Sequence, residues 1–304
     1  MKKMLKGESF LNRYRFTGTL KTLSPLHIGT GESSVEFYSA DERKKILEKM
    51  EKIPEVSTII KDFNKKPLIP GSSLRGVMRH WLLGILAGFG DQWAKNRNYE
   101  ADTLTELSQE EQLAKVKGEF SWLELLFGTP FHEGKIEVWD AQCKTKSLSA
   151  PDSMLGWNPQ SLTYIETSVA IDSATGTALD NLLYKTEIVP PGVEFEFNLV
   201  SQNLTDFEIG LILLALQGFN SSIYPIQIGA RNGRGYGRMQ FAPGPVYGLQ
   251  AENLGAWVSS TVQGFGTNEA TSNAGYFALP ELNAESLHKL LKDAKATLLG
   301  KIGR

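Results

Sequence analysis

The chain has 304 residues, 41% of them hydrophobic and 22% charged, which is enough apolar content for a real core in a water-soluble protein. Its longest apolar run, around Gly210 to Leu216, is far too short to span a bilayer, no apolar stretch follows the N-terminal lysines, and the single cysteine, Cys143, excludes an internal disulfide and a Cys-rich zinc site, so a cytoplasmic protein without membrane contact is expected. A formal net charge of −2 argues against a nucleic-acid binder on the total alone, but a polyanion responds to local charge within a Debye length.

Local charge is uneven from the start. Residues 1–22 hold Lys2, Lys3, Lys6, Arg13, Arg15 and Lys21 against Glu8 alone. Within residues 13–24, Tyr14, Phe16, Leu20 and Thr22 recur on period two and predict a half-buried first strand. Ser24 to Gly31 reads as a turn; its Gly29-Thr30-Gly31 lacks the lysine and spacing of a phosphate-binding P-loop. Residues 41–52 are a charged helical piece, and Thr58 to Ile69 make a short hairpin around Asp62-Phe63-Asn64-Lys65.

Pro67-Leu68-Ile69-Pro70-Gly71-Ser72-Ser73-Leu74-Arg75-Gly76 then reads as strand end, turn and helix start. Ser72 or Ser73 is the expected N-cap, and Leu74, Val77, Met78, Trp81, Leu82 and Ile85 the buried stripe. Arg75 and Arg79, four apart, share one flank. Free amides, two hydroxyls and two guanidinium groups at a helix start suit a phosphate, although the same spacing serves an ordinary amphipathic helix with solvated arginines.

Residues 90–119 are polar and unpatterned, a candidate mobile insertion, and Trp122 to Phe127 is an apolar piece ending at Gly128. Lys135 to Asp140 alternates as a strand. Residues 143–190 form a long two-stranded excursion with Asp172, Ser173, Thr175 and Gly176 at its tip. Val193, Phe195, Phe197 and Leu199 mark another strand, and Thr205 with Glu208 a capping box for a helix through Phe219. Between Gly229 and Arg238 stand four glycines and three arginines (Arg231, Arg234, Arg238) with no acid, before a strand ending near Phe241. Glycine lets a backbone approach a ligand and arginine offers fork-shaped donors for phosphate; a Gly-rich hairpin with solvated arginines is the plainer alternative. Residues 250–279 are Gly/Ser/Asn-rich and poorly patterned, and Glu285 to Leu299 predicts a terminal helix.

Without the insertions the order is strand, helix, strand, strand, helix, strand. That βαββαβ pattern predicts an α+β, ferredoxin-like (RRM-like) core with long insertions, the two-stranded β excursion among them. The domain reading is 1–249 with insertions near 41–54, 90–119 and 143–190, followed by a C-terminal extension over 250–304.

Pro67 to Gly76, Leu125-Leu126-Phe127-Gly128 and Gly233-Arg234-Gly235-Tyr236-Gly237-Arg238 together resemble the RAMP superfamily of CRISPR-Cas proteins. More narrowly they resemble the backbone subunits of type III effector complexes, as do Leu26-His27-Ile28-Gly29 and Glu166 to Ala178. The resemblance implies an antiviral-defence subunit that binds the guide CRISPR RNA, stacks with other RAMP-type subunits and positions target RNA, with the excursion acting as a thumb between guide and target. It also implies that Ser72, Ser73, Arg75 and Arg79 with Arg231, Arg234 and Arg238 contact the guide. Family members that cut the target carry an aspartate before the strand preceding the Pro-Gly-Ser-Ser turn, where a carboxylate with Mg2+ can support attack of a ribose hydroxyl on its phosphate. Here Val56 occupies that place, so two readings stand: the endoribonuclease activity is lost, or a displaced carboxylate serves it, Asp41 ahead of Glu55. The alternative function is a metal-free endoribonuclease that processes the precursor guide RNA through His27 or His80.

Overall fold

β1 (Asn12–Thr22) lies at the centre of the larger sheet because it alternates: Tyr14, Phe16, Leu20 and Thr22 are buried and the residues between them are not. The computed structural model describes residues 3–35, 40–48, 55–95, 108–149, 156–171, 174–264 and 281–300. Parts of the predicted insertions, including Asp172 and Ser173 at the excursion tip, lie outside the described residues. The architecture is mixed α+β. In chain order the elements are β1, β2 (Gly29–Ser34), α1 (Ala40–Glu48), β3 (Val56–Ile59), β4 (Leu68–Ile69), α2 (Gly71–Leu86), α3 (Gln109–Glu119), α4 (Trp122–Phe127), β5 (Ile136–Val138) and β6 (Ala141–Gln142). There follow β7 (Tyr164–Ile171), β8 (Ala178–Ile188), β9 (Glu194–Gln202), α5 (Asp206–Gly218), β10 (Met239–Gln250), α6 (Leu254–Gly264), β11 (Glu281–Leu282) and α7 (Ala284–Leu299).

The larger sheet is antiparallel with order β11-β10-β1-β9-β5. Phe16, Leu20, Phe195, Phe197 and Leu199 on its covered face join Leu74, Met78 and Leu82 of α2 and Ile209, Ile212 and Leu216 of α5 in one core. α2 and α5 touch directly, with the Trp81 ring lying against Gly218. α7 packs on α5 where Gly210 faces Ala294, since a Cβ at 210 would overlap that methyl. A second sheet, β2-β3-β8-β7, is antiparallel except that β3 and β8 run parallel. No helix among the described residues is long and apolar enough to cross a membrane.

Several expectations need correction. Ser24–Gly31 is not all turn, because Gly29 begins β2 and pairs with Ile59. The unpatterned 90–119 stretch contains α3, held by a Ser108–Glu111 capping box, since reciprocal capping makes a helix possible without a strong apolar stripe. β10 runs past Phe241 to Gln250, taking Pro243 into the ladder opposite Gly18 beside an irregularity in register. The region 250–279 contains α6. The excursion is two-stranded, as expected, and its root is tied through β8 into the four-stranded sheet.

Candidate nucleic-acid interface

The start of α2 is capped from outside the local sequence. Pro70 is the N-cap and makes no side-chain cap; instead the Gly71 amide donates to Asp140 Oδ1 at 2.8 Å. Gly71 is required there because any Cβ would overlap the carbonyl of Val138. Neither Ser72 nor Ser73 caps the helix, so the serine cap expected from the sequence is wrong, and a carboxylate already occupies the first free amide. Ser72 is exposed and Ser73 half-buried.

Arg75 and Arg79 have different surroundings. The Arg75 guanidinium donates to the carbonyl of Phe127 and sits 5.7 Å from that ring's centroid. Burial, and secondarily Arg79, lower its pKa from the ordinary arginine value. Arg75 thus fastens α2 to the C-terminal end of α4. Arg79, one turn on, is half-buried and has no hydrogen bond or ion pair among the described residues.

The glycine-rich loop is stapled to the root of the excursion. Arg231, in left-handed conformation at φ 66°, donates to Thr186 Oγ1 and lies 5.2 Å from the Tyr184 ring centroid. Its Nη1, 4.0 Å from Glu166 Oε1, is buried without a hydrogen-bond partner. Arg234 donates to the Tyr184 hydroxyl at 2.6 Å, which lowers that phenol's pKa. The Tyr236 hydroxyl donates to Glu166, and burial plus that hydrogen bond push the Tyr236 pKa up to about 12. Gly237, at φ 77°, sits where a Cβ would overlap the Ile228 carbonyl. The Arg238 side chain is exposed and unpaired among the described residues, while its amide donates to Ser24 Oγ.

The two clusters share a cavity of about 270 Å3, walled by Gly76, Val77 and His80 of α2 and by Tyr224, Gln227 and Asn232 from the loop side. Trp81 fixes this wall by donating its indole N–H to the Tyr224 carbonyl at 2.8 Å and stacking on the Tyr224 ring. A larger apolar groove of about 620 Å3 lies elsewhere, between β10, α5 and α7, and among the described residues His288 is the only ionisable group that lines it.

His27 is a joint in the fold. It is 6% exposed, its Nδ1 lies 2.8 Å from the Glu187 carbonyl, its Nε2 lies 3.4 Å from Ser57 Oγ, and its own carbonyl accepts from the Ala230 amide. Both ring nitrogens therefore face protein, which does not suit a general base. His80 is exposed on the cavity wall, and no hydrogen bond among the described residues orients its ring. Behind His27 the fully buried Glu187 receives Lys61 Nζ at 2.6 Å, Thr163 Oγ1 at 2.8 Å and the Ile59 amide at 3.2 Å.

Of the two candidate carboxylates, Glu55 is exposed and accepts from Ser33 Oγ, and Val56 beside it is fully buried. Asp41 is exposed in the first turn of α1, and no contact among the described residues joins it to Glu55. No three His, Cys, Asp or Glu side chains converge among the described residues. These residues do not fit a Mg2+ site built from protein ligands alone, whereas Mg2+ held by one carboxylate and a substrate phosphate needs no more than they offer.

Sequence spacing does not single out Asp140, Glu166, Tyr184, Thr186 or Glu187. Only Glu166 lies within a recognisable string, because the others act across chain distances that no local pattern records. A family model described as the RAMP superfamily matches residues 19–240, well over half of the chain. No curated protein matches the sequence.

Proposed function

The chain belongs to the RAMP superfamily, and from that premise we propose that it is a guide-RNA-binding backbone subunit of a type III CRISPR effector complex. RAMP membership points to a CRISPR-associated RNA-binding role. One observation carries the finer reading: α2 and the glycine-rich loop, far apart in sequence, wall one cavity, and Arg79 and Arg238 of these two segments lack partners among the described residues. Unpaired guanidinium groups suit phosphate contacts, which grip RNA without reading its sequence. In this reading Ser72, Ser73, Arg79 and Arg238 meet the guide. Arg231 and Arg234 hold the loop against the excursion while offering their remaining donors, and Arg75 keeps α2 in place. The order β10-β1-β9-β5 with α2 and α5 in contact supports treating the core as ferredoxin-like.

The purified chain should carry nucleic acid, visible as a raised ratio of absorbance at 260 to 280 nm, and should leave a repeat-containing transcript uncut. A nucleic-acid-free preparation with no affinity for that transcript would contradict the binding role. Cleavage of the transcript by the isolated chain would favour the processing enzyme instead.

Target cutting with Mg2+ is the second part of the proposal, with Glu55 and Asp41 as the candidate carboxylates. Glu55 sits beside Val56 at the start of β3, on the strand that pairs with the excursion through β8. In an assembled complex with magnesium, Glu55→Ala or Asp41→Ala should remove one defined cut and leave target binding intact. If every cut survives both changes, the subunit is a scaffold.

A further inference from the structure

The hairpin between β3 and β4 presents a surface that the cavity does not use. Its turn is closed by three hydrogen bonds: the Asp62 amide to the Lys66 carbonyl at 2.8 Å, the Lys65 amide to the Asp62 carbonyl at 3.0 Å and the Lys66 amide to Asp62 Oδ1 at 2.8 Å. Lys65 takes the left-handed conformation at φ 62° that the turn requires. The result is a pre-formed tip on which Phe63 is 100% exposed.

Cations gather around that tip. Lys66 Nζ reaches the Lys146 carbonyl at 3.4 Å, so residues 144–146 run beside the hairpin, continuing the pairing of β4 with β6. Lys65, Lys144 and Lys146 are exposed, and their ammonium groups have no partner among the described residues. The carboxylate within the turn, Asp62, already accepts from the Lys66 amide. The hairpin root is anchored by Lys61 on Glu187, whereas Arg231 binds the neighbouring Thr186. Successive strand residues point to opposite faces, so the tip and the glycine-rich loop approach the excursion root from opposite sides.

We propose that this tip is a second contact for single-stranded RNA, with Phe63 stacked on an unpaired base and Lys65, Lys66, Lys144 and Lys146 holding its phosphates. The proposal rests on the RNA-binding reading above and adds a site to it. A lone flat ring among unpaired cations fits a base, which needs one stacking face and a positive groove. It fits a protein partner poorly, because a protein interface has a contiguous apolar centre and no other large apolar side chain on this hairpin is fully exposed.

The test uses the full chain, a single-stranded RNA containing 4-thiouridine, photo-crosslinking with mapping of the linked peptide, and binding measured by anisotropy across a salt series. Crosslinks should fall on residues 61–66 as well as on the glycine-rich loop. Phe63→Ala should weaken binding about tenfold. Lys65→Glu with Lys66→Glu should flatten the salt slope by about 0.7 for each phosphate no longer neutralised. Arg79→Glu with Arg238→Glu should leave the crosslink at Phe63 in place. If crosslinks map only to the glycine-rich loop, and the Phe63 and lysine variants bind like wild type, this site is wrong and the proposed function stands. If the wild-type chain binds no RNA, both fall.

Discussion

Tyr236 links the glycine-rich loop to β7 by one hydroxyl hydrogen bond to Glu166, and its titration reports on that link. Burial and the carboxylate favour the neutral phenol and raise its pKa from the ordinary value near 10 to about 12. The raised value means that the hydrogen bond stabilises the fold fully below about pH 10 and is lost as pH rises towards 12. Tyr236→Phe should therefore cost about 1–2 kcal/mol at neutral pH. Its deficit against wild type in urea unfolding should shrink between about pH 10 and 12, and a deficit that stays constant across that window would contradict the assignment. The residue types of this cluster are legible in the sequence: the arginines and glycines stand out by composition. Their partners are not, since Glu166, Tyr184 and Thr186 are brought to the loop only by the pairing of β7 with β8. The start of α2 shows the same limit, because Ser72 and Ser73 are good caps by type but Asp140 arrives from beyond β5 and takes the amide.

α5 is fixed at its N-terminus by a buried ion pair. Lys135 Nζ lies 2.7 Å from both oxygens of Glu208, the capping-box residue that also accepts from the amide and hydroxyl of Thr205. Both side chains are wholly shielded from water, so each charge depends on the other. Lys135→Met should destabilise the protein by about 3–5 kcal/mol because it strands the Glu208 carboxylate, and adding Glu208→Gln should recover part of that loss. Denaturant unfolding of the single and double variants checks this; a single variant within about 1 kcal/mol of wild type would show that the pair contributes little. β1, β9, α2 and α7 are legible because their apolar periods match their burial, and α5 because Thr205 and Glu208 form the capping box that the sequence announces. The predicted last core strand ends near Phe241, yet β10 continues through Pro243, Gly244 and Pro245, where the register with β1 shifts. α3 does not stand out although Ser108 and Glu111 carry the capping signature, because no strong apolar face accompanies them.

Across the whole molecule, the insertions between core elements build the second sheet and the excursion, and the family-like strings of the core meet where these join. The order β10-β1-β9-β5 brings α2 beside α5 and sets the loop after α5 against α2, so residues 76–80 and 224–232 come to face one cavity. Sequence pattern carries the succession of elements, but the closeness of these two segments follows only from the sheet order. If this junction grips RNA by its phosphates, the affinity of the chain for a single-stranded RNA across a salt series must respond to its arginines. Arg79→Glu with Arg238→Glu should weaken binding at every salt concentration and lower the slope of log K against log salt by about 0.7 for each phosphate the variant no longer neutralises. Unchanged affinity and slope in that variant, with the fold intact by circular dichroism, would show that the junction does not hold RNA phosphates.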